Sequence, residues 1–174
     1  MRVISGSARG KKLVSLEGMN TRPTLDRVKE ALFNIIQFDI ADKTVLDLFA
    51  GSGAIGIEAI SRGAKSVTFC DNSIDAIKVI KTNIENTKTS NKATVLNKDY
   101  MQALKYLAKN NIQFDIIYLD PPYKTEFANI AIKEIINLNL LSKDGIIIVE
   151  TDDAKKEETI KKEKIEIFDK RKYG

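Results

Sequence analysis

The rhythm of apolar and polar positions changes several times along this chain, and each change marks an element. Val28, Ala31, Leu32, Ile35 and Ile36 recur at spacings of three, one, three and one, which places them on one stripe of a helix. Thr24 stands where it can cap that helix, with Asp26 and Glu30 in its early turns, and Thr21-Arg22-Pro23-Thr24 stops any strand before it. From Thr44 onward, compact β-rich runs alternate with helical patterns. The runs fall at 44–49, 66–71, 93–97, 115–120 and 145–151. Helices are predicted after the first four, to about Arg62, over 73–86, over 100–109 and near 126–138. A charged helix and a short run at 164–168 follow the fifth. Strands alternating with helices predict an α/β fold, a mostly parallel, doubly wound sheet covered on both faces. Ahead of it, residues 2–5 and 11–16 read as extended, joined by Gly6-Ser7-Ala8-Arg9-Gly10. That is the pattern of a β-hairpin with a long loop. One domain is expected overall, with residues 1–20 as a basic hairpin extension and 21–174 as the main body.

Composition narrows the chemistry. The chain has 174 residues, 43% of them hydrophobic and 30% charged, which suits a single well-packed core and not a disordered chain. No apolar run approaches the roughly 18 residues of a membrane span. Residues 1–6 are basic without an apolar stretch, so no secretory signal is expected. Histidine is absent and Cys70 is the sole cysteine, which excludes a disulfide framework and any His/Cys metal or haem site within one chain. The net charge of +4 is concentrated. Arg2, Arg9, Lys11, Lys12, Arg22, Arg27 and Lys29 face only Glu17, Asp26 and Glu30 in residues 1–37, and the rest of the chain balances. A local basic surface points to a polyanionic partner, the alternative being an ordinary solvated surface.

In a doubly wound sheet, ligands bind at the carboxyl ends of the strands. The first run ends in Asp47-Leu48-Phe49-Ala50-Gly51-Ser52-Gly53, where glycines let a ligand approach the backbone at a helix N-terminus. Gly51, Gly53 and Gly56 also satisfy G-x-G-x-x-G. Asp71 ends the second run, where an acid can accept both hydrogen bonds of a ribose diol. Capping the helix that follows is its alternative role. Asp47 opposes a pyrophosphate, because two anions would share a small site, and it suits a cationic ligand. This favours S-adenosylmethionine, with its ammonium and sulfonium, over NAD. Capping nearby backbone amides is the other role open to Asp47. The fourth run leads through Asp120 into Pro121-Pro122-Tyr123. The Asp120 carboxylate and the Pro121 carbonyl can each accept one N–H of an exocyclic base amine. Tyr123 can stack on the ring. A purely structural Pro-Pro turn competes with this reading.

Asp120-Pro121-Pro122-Tyr123 matches the [DNS]-P-P-[YFW] motif of S-adenosylmethionine-dependent amino-methyltransferases. Together with residues 21–34 (TRPTLDRVKEALFN), residues 47–53 and the N-terminal GSARGKKL, it resembles the RsmD family. The likeness runs from Arg2 to about Glu150. It implies a Rossmann-like methyltransferase fold and methylation of a guanine N2 amine in small-subunit (16S) ribosomal RNA. It also implies residue roles. Asp47, Gly51 and Gly53 line the methionine part of the cofactor, Asp71 holds the ribose, and Asp99 accepts from the adenine amine. Arg22 and Thr24 close one side of the cleft, and Asp120, Pro121, Pro122 and Tyr123 hold the guanine. The hairpin over 2–16, through Arg2, Arg9, Lys11 and Lys12, touches RNA. The partner implied is small-subunit ribosomal RNA, free or as an assembling ribonucleoprotein. A monomer working in the cytoplasm without a metal is expected. A last strand is implied beyond Lys172-Tyr173-Gly174, where this chain stops.

Three readings compete. A DNA adenine or cytosine amino-methyltransferase shares the Asp120–Tyr123 logic but usually carries a substantial target-recognition domain. A nicotinamide oxidoreductase accounts for Gly51–Gly56 but has no histidine as proton donor. A non-catalytic RNA-binding module accounts for the basic arm alone. Cys70, Phe33, Phe38, Phe49, Phe69 and Phe114 are expected in the core, Tyr100 either flanks the adenine or packs half-buried, and 155–164 is expected as a solvated helix face.

Overall fold

The computed structural model describes residues 1–18, 23–122, 126–151, 166–167 and 169–171, with the backbone alone at 23–25. Five parallel strands form one sheet: β1 (Thr44–Asp47), β2 (Ser66–Asp71), β3 (Ala93–Asn97), β4 (Phe114–Leu119) and β5 (Leu141–Val149), in the order β3-β2-β1-β4-β5. Helices α1 (Pro23–Ile36), α2 (Ala54–Ser61), α3 (Ile74–Thr87), α4 (Tyr100–Lys109) and α5 (Phe127–Asn137) cover it. The doubly wound α/β expectation is therefore met. The strand order reverses between β1 and β4. Their connections leave in opposite directions, opening a crevice at the carboxyl ends.

Each strand feeds two cores, because successive side chains point to opposite faces. Val45, Val67, Phe69 and Ile116 join Phe33, Ile36, Ile57, Ile60 and Ile80 on one side. Leu46, Cys70, Ile117 and Leu119 join Leu104, Leu107, Ile132 and Ile135 on the other. Gly56 lets α2 lie directly on β2, since a Cβ there would come within 2.3 Å of the Phe69 ring. A fully buried Ile or Leu contributes about 1.5–3 kcal/mol, so the two layers hold the strand tips firmly.

Several boundaries differ from the sequence reading, each for a local reason. α1 begins at Pro23, one residue before the expected cap Thr24, because proline at the first helical position loses nothing by lacking an N–H. Arg22, which precedes Pro23, lies outside the described residues. β5 begins at Leu141 and not Gly145. An irregularity between Phe114 and Ile116, with Asp144 at φ 62°, hides that start. Phe38, expected in the core, is 89% exposed. It lies in the turn after α1, and Ile40 takes the buried position instead. Phe49 is only half-buried. Most of 155–168 lies outside the described residues.

Residues 1–13 fold back through a single antiparallel bridge, Arg2 with Lys12. Val3 N–H donates to the Lys11 carbonyl (2.9 Å) and Leu13 N–H to the Met1 carbonyl (3.0 Å). The turn is anchored on α2. Ser7 N–H donates to the Ser61 carbonyl (2.8 Å), Ala8 N–H to Ser61 Oγ (2.9 Å), and Ser61 Oγ to the Ser5 carbonyl (2.6 Å). Gly6 sits at φ 87°, and a Cβ there would lie 1.8 Å from the Ser61 carbonyl oxygen, so only glycine fits. Glu58, wholly buried, accepts the N–H groups of Ile4 (2.9 Å) and Ser5 (3.0 Å). Its charge is met by Lys29 Nζ at 3.4 Å and Arg62 Nε at 2.9 Å. Burial lowers the Lys29 pKa, opposed by the Glu58 carboxylate.

Candidate active site

Four acidic residues gather where the strands end. Asp47 is the last residue of β1, and its register partners are Phe69 on β2 and Tyr118 on β4. Asp71 and Asp120 therefore stand two residues beyond it on the neighbouring strands. Glu150 follows Val149, the partner of Leu119, and so lies beside Asp120. Glu150 N–H donates to the Leu119 carbonyl (2.9 Å), and Tyr118 Oη donates to Glu150 Oε2.

Asp47 is 1% exposed. Its Oδ2 accepts the Gly56 N–H at a long 3.3 Å, and its Oδ1, buried, has no hydrogen-bond partner. Burial raises its pKa to about 7. The Gly56 N–H works against that shift, and the Asp120 and Asp71 carboxylates add to it. Asp120 is likewise raised to about 7, first by burial and then by Glu150. Burial and the neighbouring Glu150 and Asp120 carboxylates push Tyr118 well above its ordinary value. Such a cluster is costly when empty of counter-charge and is relieved by a cation.

The glycine turn is tied to this cluster through Asp71. Gly51 and Gly53 sit at φ 57° and 80°. Asp71 Oδ2 accepts the Gly51 N–H and Oδ1 accepts the Ser73 N–H, both at 2.9 Å. The cap of α3 is Ser73, whose hydroxyl accepts from Ala76 N–H. Asp71 thus ties the glycine turn to β2, and its remaining lone pairs can still take hydroxyl donors. Asp99, exposed, caps α4 by accepting the Met101 N–H at 2.9 Å. Pro121 is buried and Pro122 exposed. Arg22 and Tyr123 lie outside the described residues, as does the side chain of Thr24 within α1. Arg2, Arg9, Lys11 and Lys12 are all exposed on the hairpin. A cleft of roughly 300 Å³ between hairpin and α1 is lined by Arg2, Arg9, Asp26 and Glu30.

Sequence reasoning passed over several features. Glu150 carries the same signal as Asp47, Asp71 and Asp120, an acid at a strand tip, and reading the fifth run on to residue 151 hid it inside the strand. Phe49, Tyr100 and Phe127 form a row of tilted rings, with centroids 5.3 Å and 5.0 Å apart, along the ends of β1 and β3. No periodicity announces such a row, because its members come from three separate connections. Asn83, wholly buried in α3, gives no signal in the sequence, because its partners Val14 and Ser52 are distant along the chain.

The donor set fits S-adenosylmethionine. An unpartnered buried carboxylate oxygen at Asp47 suits an ammonium group, and Asp71 suits a diol. The clustered negative charge favours a cation and disfavours a pyrophosphate.

Comparison with known proteins gives a consistent result. The family model described as "Conserved hypothetical protein 95" matches residues 1–174. "Ribosomal RNA small subunit methyltransferase D" of Haemophilus influenzae is 40% identical over 156 residues, covering 89% of this chain and 80% of that protein. The solved structure of "Putative methyltransferase yhhF" from Escherichia coli has a TM-score of 0.78 at 34% identity, over 89% of this chain and 82% of that one. A more distant solved structure, SMU.776 complexed with SAH, matches the fold at TM-score 0.64 and 23% identity, over 75% of this chain and 39% of that one.

Proposed function

The chain belongs to the Conserved hypothetical protein 95 family, which is the RsmD family, and from that membership and the site geometry we propose that it methylates the exocyclic N2 amine of a guanine in small-subunit ribosomal RNA. It is an S-adenosylmethionine-dependent ribosomal RNA methyltransferase. The observation that carries the reading is the unpartnered, buried Asp47 Oδ1 at the switch point, with Asp71 and Asp120 at the flanking strand ends.

S-adenosylmethionine, when bound, supplies an electrophilic methyl group on a sulfonium. Asp47 holds its ammonium, Asp71 its ribose hydroxyls, and the Gly51–Gly53 turn lets the backbone approach. Asp99 takes the adenine amine, beside the Phe49–Tyr100–Phe127 row. The family resemblance assigns Arg22 and Thr24 to one side of the cofactor cleft. Asp120 and the Pro121 carbonyl would each accept one N–H of a bound guanine amine, which would leave the nitrogen lone pair free to attack. Pro122 stiffens the turn and Tyr123 stacks on the base. As the amine is methylated it must shed one proton. Asp120, with its pKa near 7, is suited to accept it. Positioning and electrostatics supply the rate, without a covalent enzyme intermediate.

Residues 1–20 serve as the RNA arm of the methyltransferase body at 21–174. Arg2, Arg9, Lys11 and Lys12 take phosphates. The substrate is ribosomal RNA, alone or in an assembling particle, met by a monomer in the cytoplasm. Among the described residues no helix is long and apolar enough to cross a membrane. The test is transfer of a labelled methyl group to small-subunit particles from cells lacking the protein, with mass mapping of the product. One N2-methylguanine is expected. Label on an adenine or cytosine of DNA supports the competing amino-methyltransferase, and binding without transfer supports the RNA-binding module.

A further inference from the structure

Asn83 is wholly buried, yet it belongs to neither side of the site described above. Its Oδ1 accepts the Val14 N–H at 2.7 Å, and its Nδ2 donates to the Val14 carbonyl and to the Ser52 carbonyl, both at 2.9 Å. Val14 continues the second arm of the basic hairpin, and Ser52 is the middle of the glycine turn. One amide therefore joins two segments 38 residues apart in sequence, 14 and 52, which are assigned to two different ligands. Both of its donor hydrogens are spent on protein carbonyls, and it has no exposed surface, so it has nothing to offer a ligand directly.

The same helix fixes the neighbouring residue of the turn. A Cβ on Gly53 would lie 3.3 Å from Ile80 Cγ1, so Ile80 forms the floor beneath Gly53. Asn83 lies one turn further along that face, at the i,i+3 spacing that places side chains together. The turn is thus held at two consecutive residues by one side of α3, and the hairpin is held to that side by the same amide. Any shift of Val14 away from Asn83 strands a buried donor and acceptor, a state buried amides avoid.

We propose that Asn83 is a positioning residue that couples the hairpin to the cofactor turn, so that RNA and cofactor each strengthen the binding of the other. This rests on the reading of the hairpin as the RNA arm and the glycine turn as the cofactor site. Both ligands favour the arrangement in which Val14, Asn83 and Ser52 are joined, and linkage makes the effect equal in both directions. A residue that only stabilises the fold gives no such reciprocity.

The test is equilibrium dialysis of labelled S-adenosylhomocysteine against the full chain, with and without saturating unmethylated small-subunit particles. Wild type is expected to bind it about 5-fold or more tightly in the presence of particles. Asn83→Ala is expected to bind it roughly 10-fold more weakly than wild type, with the enhancement by particles reduced below about 2-fold. The tightening of particle binding by saturating S-adenosylhomocysteine should shrink by the same factor, because linkage is reciprocal. Asn83→Asp, which keeps the acceptor and loses both donors, should follow Asn83→Ala. If neither variant folds, hydrogen exchange on the wild type decides. Particles alone should slow exchange at the Gly51 and Gly53 amides, and S-adenosylhomocysteine alone should slow it at the Val14 amide. Absence of coupling in wild type, coupling that survives in Asn83→Ala, or exchange unchanged at the distant segment overturns the proposal. A wild-type chain that binds neither ligand overturns the functional reading itself, and the coupling with it.

Discussion

Replacing Asp47 with Asn should move stability and cofactor affinity in opposite directions. The Asp47 carboxyl is raised from 3.8 to about 7, first by burial, so its ionised form opposes folding of the ligand-free chain. That rise corresponds to about 4 kcal/mol at most, on the order of 1.4 kcal/mol for each tenfold change in proton affinity. Asn keeps an oxygen for the Gly56 N–H but puts an amide nitrogen where Oδ1 now has no partner. That stranded donor costs about 1–3 kcal/mol. The net expectation at pH 8 is a gain on the order of 1–3 kcal/mol, about 2–8 °C in Tm for a chain of this size. The sign follows from linkage. A raised carboxyl pKa leaves the folded state unpenalised below the unfolded value near 3.8. The penalty grows as pH rises to about 7 and is constant above it. The gain from Asn should therefore shrink at pH 5.5 and vanish or reverse near pH 4. Urea unfolding of the ligand-free chain at the three pH values measures it. S-adenosylhomocysteine affinity should fall at pH 8 by tenfold or more, since a charge-assisted hydrogen bond of about 1.5–3 kcal/mol is lost. Wild-type affinity should climb from pH 6 to 8 as Asp47 ionises, and Asn should flatten that climb. A variant destabilised equally at pH 8 and pH 5.5, with affinity unchanged, would show that Asp47 is an ordinary amide-capping residue.

The remaining predictions concern the RNA arm and the second acid. Reversing Arg9, Lys11 and Lys12 to Glu should weaken RNA binding steeply and flatten its dependence on salt, by up to about 0.7 in log–log slope per lost single-strand phosphate contact. Filter binding across a salt series measures this. Cofactor affinity measured without RNA should be untouched, and an unmoved RNA affinity means the hairpin is only a structural cover. Glu150→Gln removes a negative charge that raises the Asp120 pKa, while its amide oxygen can still accept from Tyr118 Oη. The pH of half-maximal transfer should move down from about 7, by up to roughly one unit. A pH–rate profile that stays in place removes Glu150 from the account.

The fold was legible because its signals are periodic. Four of the five strands are β-rich runs that end in or just before an acid, and β2, β3 and α4 fall where the pattern predicts. Asp47, Asp71 and Asp120 were legible as strand-tip acids once a parallel sheet was inferred. The contacts between distant segments were not. Glu58 reads as one polar residue in an apolar helix, and nothing local says that it receives two hairpin N–H groups and two cations. Phe38 was misread because an aromatic beside an apolar stripe normally joins it, whereas the helix ends two residues earlier. The dual anchoring by Asp71 follows from the αL geometry of the glycine turn, which brings the Gly51 N–H to the tip of β2.

The central claim is that the Asp120 carboxylate, with the Pro121 carbonyl, holds the amine that receives the methyl group. Single-turnover methylation of small-subunit particles by Asp120→Asn, at saturating S-adenosylmethionine, tests it most directly. Asn preserves the shape but removes the charge, and it can present a donor where an acceptor is needed. The rate should fall by roughly 10²-fold or more, the scale of a lost electrostatic group in a site, while S-adenosylhomocysteine affinity stays within a few-fold. Methylation by Asp120→Asn at the wild-type rate would contradict the account and make Asp120 a structural residue.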